Sequence, residues 1–393
     1  MTRRPTRRAL GLAGLGALLV GVGATAQAGW LFVLAAGVLG ALIVSAPLCP
    51  RLDRCSVRRE LPATTAVGDE VPVRLEVVAE SRRARAPMRV EDHHPALEEA
   101  VVFCEPGAAG RASSGEHPRR ALRRGIFSGG ELHLVSEWPF GALCVRRTVD
   151  VASPIVVVPS AIALHGFPLA ASGSGEDAPA APPRGHGDEF AGVRDYRTGD
   201  DVRRVHWRST ARRGQLVVRE DARAAAPRVA IVVAGADRGA PPESAFEALV
   251  TAAASIGLHA LSRGHELDLV RPGPDGRAIH LHAADHSGML TWLAAAAPSD
   301  APLAPLVGAA VAAAAGGTVV LCLSSEGRAA SELGGARTTI GRAGATPVVV
   351  AAAASTWGEG REGALVSGGE ANIVSVADRV LRRDRSLGSC LEA

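Results

Sequence analysis

The chain has 393 residues, 47% of them hydrophobic, and a formal net charge of +3. That is enough length for two soluble domains plus a membrane segment, and too little charge to imply a nucleic-acid partner. All 43 basic residues are arginine, so a Schiff-base lysine and an ordinary Walker-type nucleotide site are both excluded.

From Ala9 to Cys49 the sequence carries no charge, a run of 41 residues. As helix this spans about 61 Å, roughly two crossings of a hydrocarbon core ~30 Å thick. A polar dip at Thr25–Gly29 divides it into spans Ala9–Ala26 and Trp30–Leu48, with Trp30 suited to an interface. Arg3, Arg4, Arg7 and Arg8 precede the run, and Arg51, Arg54, Arg58 and Arg59 follow it. By the positive-inside rule both ends face the cytoplasm, which predicts a multi-pass cell-membrane protein in contact with lipid. A cleaved signal peptide is the rival reading, since Ala24-Thr25-Ala26 resembles a processing site. Even then the span Trp30–Leu48 would deliver the soluble domains to the same side.

Residues 60–150 read as strands. Val71–Val78 alternates apolar and polar side chains, and Ala100–Cys104, Glu131–Val135 and Leu143–Val149 are further short runs between Gly, Pro and Ser clusters. No helical period competes with them, so a small antiparallel β-sandwich is expected. His93 and His94 are adjacent, so on a strand they point to opposite faces, and a surface or turn role is expected rather than metal ligation. Cys49, Cys55, Cys104, Cys144, Cys322 and Cys390 lack CxxC spacing and read as free thiols in a reducing compartment.

Residues 171–186, rich in Ala, Ser, Gly and Pro, are expected to form a flexible or partly extended loop. Beyond Gln215–Arg219, a strand, the pattern alternates: strands at Arg228–Ala234, His265–Val270, Gly317–Leu323 and Thr346–Ala352, and helices at Glu243–Arg263 and Ser287–Ala297. A further helix-like segment separates the last two strands. Apolar strands alternating with helices imply a parallel sheet covered on both faces, a Rossmann-like domain. The fold class is thus α+β multidomain, divided as hairpin 1–50, β-sandwich 51–160, loop and signature 161–225, and α/β domain 226–393.

The segment Gly187–Gly214 concentrates charged and aromatic residues, among them Tyr196, the only tyrosine in the chain. Asp200 or Asp201 is placed to cap a short helix running through Trp207, with Gly214 at its end. Arg194, Arg197, Arg203, Arg204, Arg208 and Arg212 face Glu189, Asp195, Asp200, Asp201 and Glu220, and arginine forks pair with carboxylates and stack on aromatic rings. Residues 184–223 hold ten Arg against seven Asp and Glu, an interleaving poorly suited to a polyanion groove. His206, Asp200 and Ser209 have the residue types of a triad, but no Gly-x-Ser-x-Gly elbow accompanies them.

Glu189, Phe190, Gly192, Arg194, Tyr196, Gly199, Asp200, Arg203 (or Arg204), Val205, Trp207, Ala211 and Arg212 together resemble the signature of the bacterial family called "domain of unknown function 58". The resemblance extends to two N-terminal spans, a β-rich domain containing Pro139-Phe140-Gly141, and a C-terminal domain like von Willebrand factor type A. It implies a MoxR-type AAA+ ATPase as partner and supplies no activity. Metal-binding domains of that type carry Asp-x-Ser-x-Ser after the first strand, where oxygen ligands form an octahedral site. Here Ala234, Ala236 and Arg238 occupy those positions, and Asp237 alone cannot rebuild the cage, so neither a metal nor a cofactor is expected. The reading is a non-enzymatic, cytoplasm-facing adaptor or scaffold whose signature is an interdomain clasp or a partner-docking surface. The alternative is a cell-envelope enzyme with its active site around the signature.

Overall fold

The computed structural model describes residues 2–81, 84–105, 112–169, 184–222, 226–236, 244–325, 327–353, 356–357 and 376–392. The chain divides into two compact units, residues 1–160 with 293–295, and the remainder from 161 to 393.

In the first unit a short strand, β1 (Thr2–Pro5), leads into α1 (Arg7–Ala26) and α2 (Gly29–Leu48). Thr6 starts α1 by accepting the Ala9 amide on its hydroxyl (3.1 Å). Gln27, at φ +50°, ends it, and the chain reverses within two residues. The two helices approach closely because glycine lines the seam. A Cβ on Gly16 would lie 2.8 Å from a Leu39 methyl, the small-residue contact that lets membrane helices pack. Both helices are long and apolar enough to cross a membrane.

The rest of this unit is built on two sheets. The strands are β2 (Cys55–Glu60), β3 (Thr64–Ala66), β4 (Glu70–Ala79), β5 (Met88–His93), β6 (Ala100–Cys104), β7 (Ala112–Arg120), β8 (Gly125–Ser136) and β9 (Leu143–Val158). One sheet runs β1-β9-β8-β5-β6, with β3 also on β9, and the other runs β2-β4-β7. Pairing is antiparallel except for β3, which joins β9 in parallel; an entirely antiparallel sandwich was the expectation. The alternation anticipated on β4 holds, with Val71, Val73, Leu75 and Val77 turned into a core shared with Leu132, Leu134, Val145 and Ile155. Each such side chain contributes about 1.5–3 kcal/mol on burial.

The second unit begins with β10 (Arg184–Asp195), α3 (Trp207–Arg213) and β11 (Val217–Ala222), which form a separate two-stranded hairpin. The expected loop at 171–186 falls almost wholly outside the described residues, and its last three residues belong to β10. There follow β12 (Arg228–Ala234), α4 (Ala245–Ser262), β13 (Glu266–Pro272), β14 (Ala278–Ala283), α5 (His286–Ala294), α6 (Leu303–Ala314), β15 (Thr318–Ser324), α7 (Arg328–Arg342), β16 (Thr346–Ala352), β17 (Arg379–Leu381) and α8 (Leu387–Glu392).

The sheet order is β14-β13-β12-β15-β16-β17. All its pairings are parallel but one: β14 returns antiparallel on β13 through the turn Gly273–Gly276. The expectation of a purely parallel sheet is corrected at that edge, where a short turn permits only an antiparallel partner. Helices α6 and α7 share a core with Ala230, Val232, Leu321 and Val349. Alternate residues of the same strands are also buried, and α4 packs on that other face through Phe246, Leu249 and Ile256. By length and composition α4 too could cross a membrane; its burial against the sheet makes it a core helix.

Candidate functional site

The signature folds as one compact hairpin. Antiparallel pairing joins Val193 to Arg219, Arg194 to Val218 and Asp195 to Val217. The Tyr196 amide donates to Leu216 O (2.9 Å) and the His206 amide to Val217 O (2.8 Å), so the intervening loop is stitched to β11 at both ends. Gly199 sits at φ +106°, a conformation L side chains rarely adopt, in a turn closed by the Asp200 amide donating to Arg197 O (3.0 Å).

Arg194 and Asp200 brace this turn. Both terminal nitrogens of Arg194 donate to the two Asp200 oxygens, each at 2.7 Å, and the Arg197 amide adds a third bond at 2.8 Å. The Arg194 hydrogen bonds, followed by the Arg197 amide, hold the Asp200 carboxyl down at about 2, so the fork stays charge-assisted throughout the neutral and mildly acidic range.

The single capped helix expected through Trp207 is two elements. Asp201 caps a 3-10 turn, Val202–Arg204, by accepting the Arg203 amide (2.9 Å). His206 caps α3: its Nδ1 accepts the Ser209 amide (3.3 Å) and lies 2.9 Å from the Ser209 hydroxyl. Gly214, at φ +69°, closes the helix as anticipated, its amide donating to Thr210 O (2.9 Å). His206 and Ser209 are therefore neighbours, but Asp200 gives both its oxygens to Arg194 and the triad's acid is otherwise engaged.

Of the expected arginine–carboxylate pairs, those to Glu189 and Glu220 lie outside the described side chains, and three of the expected arginines are corrected. Arg203, Arg208, Arg212 and Arg213 are exposed and form no ion pair with a described residue, whereas Arg194 pairs with Asp200. A 3-10 turn followed by a helix fans these side chains outward, where sequence proximity alone had placed them opposite acids. Trp207 is 64% exposed, and Val202 and Leu216 are exposed in the same hairpin. Ala211 is exposed, while Gly192, Tyr196 and Arg204 are half-buried and Val205 is buried. Glu189 and Phe190 lie on β10, and their side chains are outside the described residues.

At the carboxyl end of the parallel sheet, Ala234 is buried and Gly235 passes so close to Ser324 that a Cβ there would lie 2.6 Å from the Ser324 Cβ. Asp237 and Arg238 are outside the described residues. No group of three His, Cys, Asp or Glu side chains is arranged for a metal among the described residues.

Two clusters escaped the sequence reading. Asp268 is buried on β13 and bonds His280 Nε2 (2.8 Å) and His282 Nδ1 (3.1 Å) across to β14. In the β unit Asp92 is clamped by Arg59 and Arg119, all three buried. Beside them His94 is buried at a turn, while His93 faces outward to Glu99 (3.0 Å). The two side chains thus face opposite ways, and the surface role expected of both is corrected for His94, which lies inside at a turn. Burial, then the Arg59 charge, lowers the His94 pKa to about 4.

Residues 192–302 match the family described as "Protein of unknown function DUF58". The match opens on Gly192 of the signature and runs through the first strands of the α/β sheet. No curated protein matches the chain. Among solved structures, one described as "Crystal structure of protein of unknown function from Porphyromonas gingivalis W83" is 15% identical, with a TM-score of 0.19. The likeness takes in 27% of this chain and spans about half, 48%, of that one, too weak to assign a fold.

Proposed function

We propose that this chain, a DUF58-family protein through residues 192–302, is a membrane-anchored, non-enzymatic adaptor that docks a partner protein on the β10–β11 hairpin. The observation that carries this reading is Trp207, 64% exposed on a helix with no fully buried residue. It shares that helix with Arg208, Arg212 and Arg213, all exposed. Trp and Arg are the side chains most enriched at binding hot spots, and a clasp serving only this chain's own packing would hide its indole. The Arg194–Asp200 fork prepays the ordering of the loop, which favours tight docking.

The partner is a MoxR-type AAA+ ATPase, by the family resemblance. Its side of the membrane is the cytoplasm, supported by the arginines flanking both ends of the apolar run. The α/β unit acts in this reading as a metal-free relative of von Willebrand factor type A. Its parallel strands run second-first-third-fourth-fifth across the sheet, and the leading ligand positions hold Ala234 and Ala236. The test is binding of the purified ATPase to the full chain in lipid nanodiscs, and its loss in Trp207→Ala with melting unchanged.

A further inference from the structure

The Trp138-Pro139-Phe140-Gly141 loop connects β8 to β9, and three aromatic side chains at this end of the sheet are left in the open. Trp138 is 42% exposed, Phe140 50% and Phe103, on edge strand β6, 81%. Trp138 and Phe103 also line an open cleft of about 330 Å³ with Pro87, Met88 and Val135. Singly exposed apolar side chains are ordinary, but three aromatic rings clustered at one end of a sheet mark a contact surface.

The strand register says where this rim lies. β1 pairs with β9 from Thr2–Arg146 to Pro5–Leu143 and then enters α1, so the direction from Arg146 to Leu143 leads to the helices. Along the neighbouring strands the same direction runs from Val135 to Ser136 on β8, from Arg89 to Met88 on β5 and from Phe103 to Cys104 on β6. The aromatic rim is therefore the helix-facing end of the sheet.

Its depth is fixed by direct bonds. Thr6, the residue that caps α1, donates its amide to Ala142 O (3.0 Å) and its hydroxyl to Gly141 O. Arg8, the last charge before the apolar run, pairs with Glu137 (3.8 Å). The second helix is tethered as shortly. Only Cys49, Pro50 and Arg51 separate the end of α2 from Leu52, which is wholly buried in the β core. That distance cannot exceed roughly 14 Å even fully extended. Arg147 of β9 donates to the carbonyls of Leu52 and Cys55, the latter at 2.7 Å, holding this exit against the sheet.

We infer that the rim formed by Trp138, Phe140 and Phe103 is inserted in the lipid interface of the membrane that α1 and α2 span. The β unit is then seated on the bilayer as well as tethered to it; this rests on the membrane-anchoring reading of the two helices. Aromatic rings at headgroup level are the usual occupants of that layer. Arg3, Arg4, Arg7, Arg8, Arg51 and Arg54 around the same end complement an anionic leaflet.

The test uses the full chain in phosphatidylcholine–phosphatidylglycerol vesicles, with p-benzoylphenylalanine introduced singly for photo-crosslinking. Phe140 is the probe, Val33 on the exposed surface of α2 is the membrane reference, and Ile126, exposed at the opposite end of β8, is the aqueous reference. The expected result is lipid adduct at Phe140 within about threefold of Val33 and at least ~10-fold above Ile126, as for a side chain at headgroup depth. Adduct at Val33 with Phe140 no higher than Ile126 overturns the inference and leaves the anchor standing. So does a Phe140 crosslink to a second copy of the chain in place of lipid. Silence at Val33 as well removes the spanning helices, and the inference with them.

Discussion

Replacing Asp92 with asparagine isolates one charge in the middle of the β unit. Asp92 is 1% exposed and accepts from Arg59 Nε (3.2 Å, on Oδ2) and Nη2 (on Oδ1), while Arg119 Nη1 lies 2.5 Å from the same Oδ2. Asn keeps the shape and one oxygen but leaves two buried guanidinium groups with neutral partners, such as Ser153 Oγ on Arg59 (3.0 Å) and Glu98 O on Arg119 (2.6 Å). One charge pair about 3 Å apart at an effective dielectric of about 20 attracts by about 5 kcal/mol. Removing one member of a buried pair costs about 3–5 kcal/mol in practice. For a unit of this size the melting temperature should fall by about 10 °C, at roughly 2–4 °C per kcal/mol. Calorimetry of the full chain in detergent reads this in the transition of the β unit. A combined Arg59→Met, Asp92→Leu, Arg119→Met variant should return to within about 1 kcal/mol of the native chain, because no charge is left stranded. A loss under about 1 kcal/mol in Asp92→Asn would refute the reasoning.

Two other predictions concern buried titratable groups. His94 is held neutral, its pKa lowered to about 4 by burial and Arg59 with Asp92 and Arg119 also nearby, so the unfolded chain binds its proton more readily than the folded one. Its contribution is complete above pH ~6.5 and lost as pH falls toward 4, by about 3 kcal/mol; urea midpoints measured across that window should flatten in His94→Gln, and an unchanged slope would contradict the assignment. Cys322 lies wholly buried in β15, and burial pushes its thiol up to about 12. It should resist iodoacetamide in the native protein and react only after denaturation, whereas rapid native labelling would show that the strand is not in the core.

The long-range arrangement was legible wherever burial leaves a period. The charge-free run maps onto α1 and α2, and the alternation at Val71–Val78 onto β4, because the lipid and the core each select side chains position by position. β7 was missed: its polar run Glu116-His117-Pro118 holds its place through backbone pairing with β4, which side-chain pattern does not record. α6 was missed because Leu303–Ala314 has no polar stripe: its exposed positions Ala304, Pro305, Gly308 and Ala312 are as apolar or small as the buried Leu303, Leu306, Val307 and Ala310. In the signature, Gly214 as a helix stop was readable from residue type alone. That Arg194, and none of the exposed arginines, would meet Asp200 was not, since the choice depends on the turn at Gly199. The Arg59–Asp92–Arg119 cluster joins strands far apart in sequence and in two different sheets, and only the packing of one sheet on the other brings them together.

The docking claim meets its most direct test in the affinity of the purified MoxR-type ATPase for the full chain in nanodiscs. Trp207 is exposed and caps nothing, so Trp207→Ala should leave the melting curve within about 0.5 kcal/mol of native, while truncating a hot-spot anchor of at least ~2 kcal/mol weakens binding by about 30-fold. Arg212→Ala should act in the same direction, and Ile126→Ala should not. Native affinity in Trp207→Ala, or binding lost only together with the fold, would contradict the account and return the hairpin to a purely structural role.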